Sequence, residues 1–149
     1  LIQSQHLTAD DIKLLFDHSD RYIIPYLQTH MKRYGLVLYN PADREAAESE
    51  ANDMNECLIK AGFHTRIKQW KHTYELNEET CITRMQELAA EGLSLLVVCI
   101  MSHGTAGVLR DSGGAAMPIT DILSNLRIGL PESLPLVRTP FLFENMLLI

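Results

Sequence analysis

The chain has 149 residues, 46% of them hydrophobic, which is enough for one globular domain with a real core and leaves no room for a second full domain. With 13 Lys and Arg against 19 Asp and Glu the formal net charge is -6, and no long run of either sign occurs, which argues against a nucleic-acid partner. The longest apolar run falls far short of the roughly 20 residues of a membrane helix, and no basic segment followed by an apolar stretch opens the chain, so no membrane association is expected and a cytoplasmic location is.

In chain order, Thr8 is placed to cap a short helix through Asp17, with Ile12, Leu15 and Phe16 on one face and Asp10 and Asp11 in the first turn. Residues 1–33 form an expected N-terminal extension or short prodomain remnant, in which Pro25 interrupts any continuous helix. Gly35 to Tyr39 predicts a first buried strand ending at the turn signal Asn40-Pro41. From Glu45 to Ala61, apolar residues at Ala47, Ala51, Met54, Leu58 and Ala61 recur every three or four positions, predicting an amphipathic helix with Gly62 just past its end. Phe63 to Trp70 alternates, with Phe63, Thr65, Ile67 and Gln69 on one side, and predicts a second strand. Asn77 is expected to cap a second helix whose apolar face is Cys81, Ile82, Met85, Leu88 and Ala89, with Glu78 and Glu79 in its first turn and Gly92 as its stop.

The most informative stretch is Leu93 to Gly104, LSLLVVCIMSHG. Leu95 to Ile100 are apolar at every position, as in a central parallel strand covered by helices on both faces, and Ser102, His103 and Gly104 follow immediately at the carboxyl edge, where open α/β sheets collect ligands and catalytic groups. Strand, helix, strand, helix, strand with long crossovers predicts a parallel, doubly wound α/β sheet. Asp111, Ser112, Gly113 and Gly114 mark a tight turn between Gly107–Arg110 and Ala115–Ile119, hence a hairpin. Thr120 is expected to cap a helix through about Leu126, and the apolar segment Pro140 to Ile149 predicts a last strand.

A strand ending in SHG, a glycine-turn hairpin and then a helix resembles the large catalytic subunit of the caspases, the aspartate-directed cysteine endopeptidases linked to apoptosis or differentiation. The resemblance rests on YGLVLYN, on the Met54, Leu58, Phe63 pattern, on LLVVCIMSHGTAGVL and on the following RDSGGAAMPITDIL. The sparse, acidic first loop is most similar to the caspase-fourteen-like branch. The resemblance implies a caspase-like three-layer sandwich with a mostly parallel central sheet. It makes 34–137 the large-subunit portion and 138–149 a divergent C-terminal tail.

By the same resemblance His103 matches the catalytic histidine, and Gly104 matches the residue whose backbone N–H helps hold the developing oxyanion. Arg44 falls where the family keeps an S1 arginine, whose planar fork can grip the carboxylate of a P1 aspartate. The family's nucleophile lies in a QACxG motif about 50 residues after the histidine, and no such motif occurs in these residues. Together with an opening Leu1 in place of Met, this gives the expectation of a sequence truncated before the cysteine and the small subunit. The chain as written is then expected to be inactive, with an unpaired sheet edge open to a caspase or small-subunit partner.

Other readings stand beside this one. A non-catalytic caspase-like interaction or regulatory protein fits the same motifs, and an unrelated α/β protein fits the element order alone. His103 could be an ordinary turn histidine and Arg44 a solvated residue at a helix start. Cys57, Cys81 and Cys99 are odd in number with no CxxC pair, which suits reduced thiols. His6, His18, His30, His64 and His72 share no ligand spacing, so no metal is expected. NPADREA after the first strand is not a phosphate-binding glycine loop, and no cofactor is expected.

Overall fold

The computed structural model describes residues 4–5, 32–42, 45–105, 107–132, 134, 141–143 and 146–148. The elements run in the order β1 (Ser4–Gln5), β2 (Lys32–Tyr39), α1 (Ala47–Lys60), β3 (His64–Gln69), α2 (Thr73–Thr80), α3 (Ile82–Ala90), β4 (Leu93–Met101), β5 (His103–Thr105), β6 (Val108–Arg110), β7 (Ala116–Pro118), α4 (Ile119–Gly129), β8 (Phe141–Phe143) and β9 (Met146–Leu148). The helix expected over Thr8 to Asp17 and the candidate Arg44 lie outside the described residues.

The apolar run of β4 dictates the architecture. Its residues alternate between two cores: Val98 and Ile100 join Leu36, Leu38, Leu76, Met85, Leu88, Ile122 and Leu126 on one face, while Val97, Cys99 and Met101 join Val37, Ala51, Met54 and Leu58 on the other. Each fully buried aliphatic side chain of this kind contributes about 1.5–3 kcal/mol of transfer free energy, so a strand with apolar residues on both faces is stable only between two helical layers. β2 pairs in parallel with β4 on one side and with β3 on the other. The doubly wound, caspase-like α/β fold expected from the sequence is therefore present.

Local signals set the crossovers. α1 ends with Gly62 at φ +84, where the amide of Phe63 donates to the Leu58 carbonyl at 2.9 Å and that of Gly62 to Ile59 at 3.0 Å. This is the paired-bond termination that a left-handed residue permits, and Phe63 and Leu58 share a core. Lys32 and Arg33, at the start of β2, satisfy the ends of the two flanking helices: Lys32 Nζ donates to the Glu91 carbonyl at 2.6 Å and Arg33 Nη1 to the Ala61 carbonyl at 2.7 Å. Cations at helix C-termini complement the helix dipoles.

The structure corrects several expected boundaries. Asn77 is not a cap: α2 begins at Thr73, and Glu75 Oε2 accepts the amides of Lys71 at 2.6 Å and His72 at 3.0 Å. The expected single helix is two, because Cys81 is extended at φ -69, ψ 162. Thr120 lies inside α4, which starts at Ile119 after Pro118. The tail forms two short antiparallel strands in place of one, and β9 pairs antiparallel with Cys99–Met101 of β4, so the edge expected to be bare carries a strand there. The full sheet order is β1-β8-β9-β4-β2-β3.

Glu79, expected in the first turn of a helix, is instead in the last turn of α2 and only 5% exposed. Its carboxylate accepts from Arg66 Nε at 2.9 Å, Arg66 Nη2 at 2.8 Å and Lys68 Nζ at 3.0 Å, tying α2 to the edge strand β3. Burial pushes its pKa up, but the hydrogen bonds and charges of Arg66 and Lys68 outweigh this and hold it below the usual carboxylate range. A depressed folded pKa stabilises above the unfolded value and is lost as pH falls through the folded one. Glu79→Gln is expected to cost about 1–2 kcal/mol at pH 7. The difference from the unsubstituted chain should begin to shrink as the pH falls through about 4.3, the unfolded value, and disappear only below the depressed folded one, and thermal melts across that range check it.

Candidate active site

Both crossovers start or end at the carboxyl edge of the parallel strands. The chain leaves β2 for β3 on one side and later arrives at β4 on the other, so the strand order reverses at β2 and the carboxyl ends of β2 and β4 form the topological switch point of the sheet. The two ends are joined directly, since the Asn40 amide donates to the Met101 carbonyl at 2.9 Å. Asn40 is buried, and its Oδ1 accepts the Ala42 amide at 3.0 Å, which closes a turn directly after β2. On the other flank of β2, the Trp70 amide donates to Tyr39 at 2.9 Å.

His103 lies two residues beyond the end of β4 and opens β5, a strand not expected from the sequence. β5 is the first strand of an antiparallel sheet β5-β6-β7, in which His103 pairs with Arg110, Gly104 with Leu109 and Thr105 with Val108. The β6–β7 hairpin follows the sequence reading closely, with Leu109 and Met117 turned into the main core. Ser102 is buried, and its Oγ donates to the Arg110 carbonyl at 3.1 Å, reinforcing the bend between β4 and β5. His103 and Gly104 thus come together on one short strand at the switch-point edge. The third candidate, Arg44, lies outside the described residues.

One tertiary link near this strand escaped the sequence reading. Asp111 was expected only as a turn former, yet its Oδ1 accepts the amides of Gly113 and Ala115, both at 2.9 Å, and its Oδ2 accepts the amide of Thr73 at 3.2 Å. The D-S-G-G pattern signals the local bonds. The bond to Thr73 depends on tertiary structure and has no local signal.

The cysteines are placed against chemistry. Cys99 is fully buried in β4, and burial, with a smaller contribution from Glu50, pushes its thiol up to about 12. At neutral pH it is an inert, protonated core residue. Cys57 is buried on α1. Cys81, half-buried at the break between α2 and α3, donates from Sγ to the Glu78 carbonyl at 3.4 Å. Among the described residues no group of three His, Cys, Asp or Glu side chains is arranged to hold a metal, and no helix is long and apolar enough to cross a membrane.

The sequence model of the caspase domain matches residues 32–135, from the first residue of β2 to beyond the end of α4 and more than two thirds of the chain. The chain belongs to the caspase family. Comparisons with curated proteins and with solved structures gave no match. At family level the caspase domain is that of a cysteine peptidase acting on peptide or protein substrates.

The burial differences predict thiol reactivity. Alkylation of the native chain followed by mass spectrometry should modify Cys81 well before Cys99, which should react only on unfolding. Labelling of Cys99 at a rate comparable to Cys81 would contradict its placement in the core.

Proposed function

We propose that this caspase domain supplies the histidine side of an aspartate-directed cysteine endopeptidase site, with His103 as the catalytic histidine and Gly104 as an oxyanion-hole residue. The observation that carries this reading is the backbone position of His103: it stands two residues beyond the central buried strand, at the topological switch point of the sheet. The SHG motif at the end of the strand supports the same reading. In this role His103 moves the proton between the attacking thiol and the leaving amine. Glycine at position 104 lets the substrate carbonyl approach the backbone closely. Arg44, in the connection after β2, is assigned to the S1 pocket, where a guanidinium binds a P1 aspartate.

The 149-residue chain by itself is inactive in this account. Covalent catalysis needs an accessible thiolate. Cys99 is buried in the core beneath α1 and Cys57 is buried on α1 itself, and Cys81 sits at the far end of α2 from the hairpin turn that meets Thr73. The nucleophile belongs to a QACxG-type motif about 50 residues beyond the histidine.

The test is direct. The purified 149-residue chain, incubated with a fluorogenic aspartyl peptide and a thiol-directed active-site probe, should show neither turnover nor stoichiometric labelling, and turnover would refute the account of the nucleophile. In a longer form bearing the QACxG cysteine, His103→Ala should lower kcat by roughly two to four orders of magnitude. Full activity of that variant would refute the role of His103.

A further inference from the structure

Asp111 links three parts of the molecule through one carboxylate. Two of its bonds close the β6–β7 turn, assisted by the Asp111 amide donating to Ala115 at 2.9 Å and the Gly114 amide donating to Asp111 at 3.1 Å. The bond from the Thr73 amide to Oδ2 is different in kind. It reaches 38 residues along the sequence to the first residue of α2. That helix is itself fixed, by Leu76 in the core and by Glu79 against β3.

On the other side, Arg110 is covalently joined to Asp111. It pairs with His103, and its carbonyl accepts from Ser102 Oγ. A short chain of contacts therefore runs from α2 through Asp111 and Arg110 to the His103–Thr105 strand. We propose that Asp111 is a positioning residue: its carboxylate anchors the β5-β6-β7 sheet to the start of α2 and so fixes His103 and Gly104 at the carboxyl edge. The catalytic meaning of this placement rests on the function proposed above.

The division of labour between contacts supports this. Leu109 and Met117 are buried in the main core, and the Ile119 amide donates to the Gly107 carbonyl at 2.9 Å. These contacts keep the small sheet docked without Asp111. Apolar contacts are non-directional, whereas amides converging on a carboxylate fix an angle. Asp111 thus sets the pose of the sheet rather than its attachment, and its variants should fold. Partial burial pushes its pKa up, but the amides of Thr73, Ala115 and Gly113 and the nearby His72 outweigh this and keep the carboxyl below its ordinary range.

The experiment compares the isotopically labelled 149-residue chain with Asp111→Ala, Asp111→Asn and the turn control Ser112→Ala by NMR. Asp111→Ala should speed amide exchange in the His103–Thr105 strand by roughly 10-fold or more while sparing Val97 to Met101, and should shift or broaden the His103 imidazole signals. Asp111→Asn, which keeps one acceptor oxygen, should fall between, and Ser112→Ala should change neither. Faster exchange at Thr73, Gly113 and Ala115 alone, with β5 and His103 unchanged, would overturn the proposal, as would equal loss of protection throughout β4. These readouts do not require His103 to be catalytic. If they move as expected but His103→Ala leaves the longer form active, the functional reading fails and the anchor stands.

Discussion

The parallel pairing of β4 with β2 is the constraint on which the rest of the molecule depends. β4 carries apolar side chains on both faces, so it needs a helical layer above and below. β2 meets the same need with Leu36 and Leu38 facing one way and Val37 the other. Once the two strands pair in register from Tyr34–Leu96 to Tyr39–Met101, their carboxyl ends coincide at one edge of the sheet. The placement of His103 is thus a consequence of core packing several residues upstream. A residue immediately after a strand pinned on both faces inherits that strand's precision.

Much of this was legible because the signals were local. The continuous apolar run marked β4, the three-and-four spacing of Ala47, Ala51, Met54 and Leu58 marked α1, and Gly62 and Gly92 marked helix ends that do adopt positive φ. The glycine-rich turn marked the hairpin. Where the reading failed, the deciding interaction was distant in sequence or competed with an equally good local signal. Asn77 has the chemistry of a cap, but Glu75 reaching back and the Asp111 carboxylate on Thr73 start α2 earlier. Glu79 had the composition of a surface residue, and only β3 lying alongside, with Arg66 and Lys68, makes its burial tolerable. β5 was hidden because a three-residue strand gains definition from its partner rather than from its own sequence.

For the candidate site, the motif SHG singles out His103 and Gly104, and the fold puts their backbone at the switch point, where they open a separate antiparallel sheet. The electrostatic design around it is one of fixed backbone. Ser102, Arg110 and Asp111 all act through main-chain bonds, so the segment is oriented by amides and carbonyls with side chains serving as struts. The cysteines in the chain follow the opposite logic. Burial stabilises Cys99 as a neutral packing group, the reverse of what a nucleophile needs, so the most apolar strand of a cysteine peptidase domain contains a cysteine that takes no part in its chemistry.

The most direct measurement is the interstrand amide and Hα contact pattern of the labelled 149-residue chain in solution by NMR. The account predicts parallel contacts linking β2 and β4 in the register Gly35–Val97 through Tyr39–Met101, with the Asn40 amide protected by Met101 and His103 next to Arg110. An antiparallel or shifted β2–β4 pattern, or His103 remote from Arg110, would contradict it.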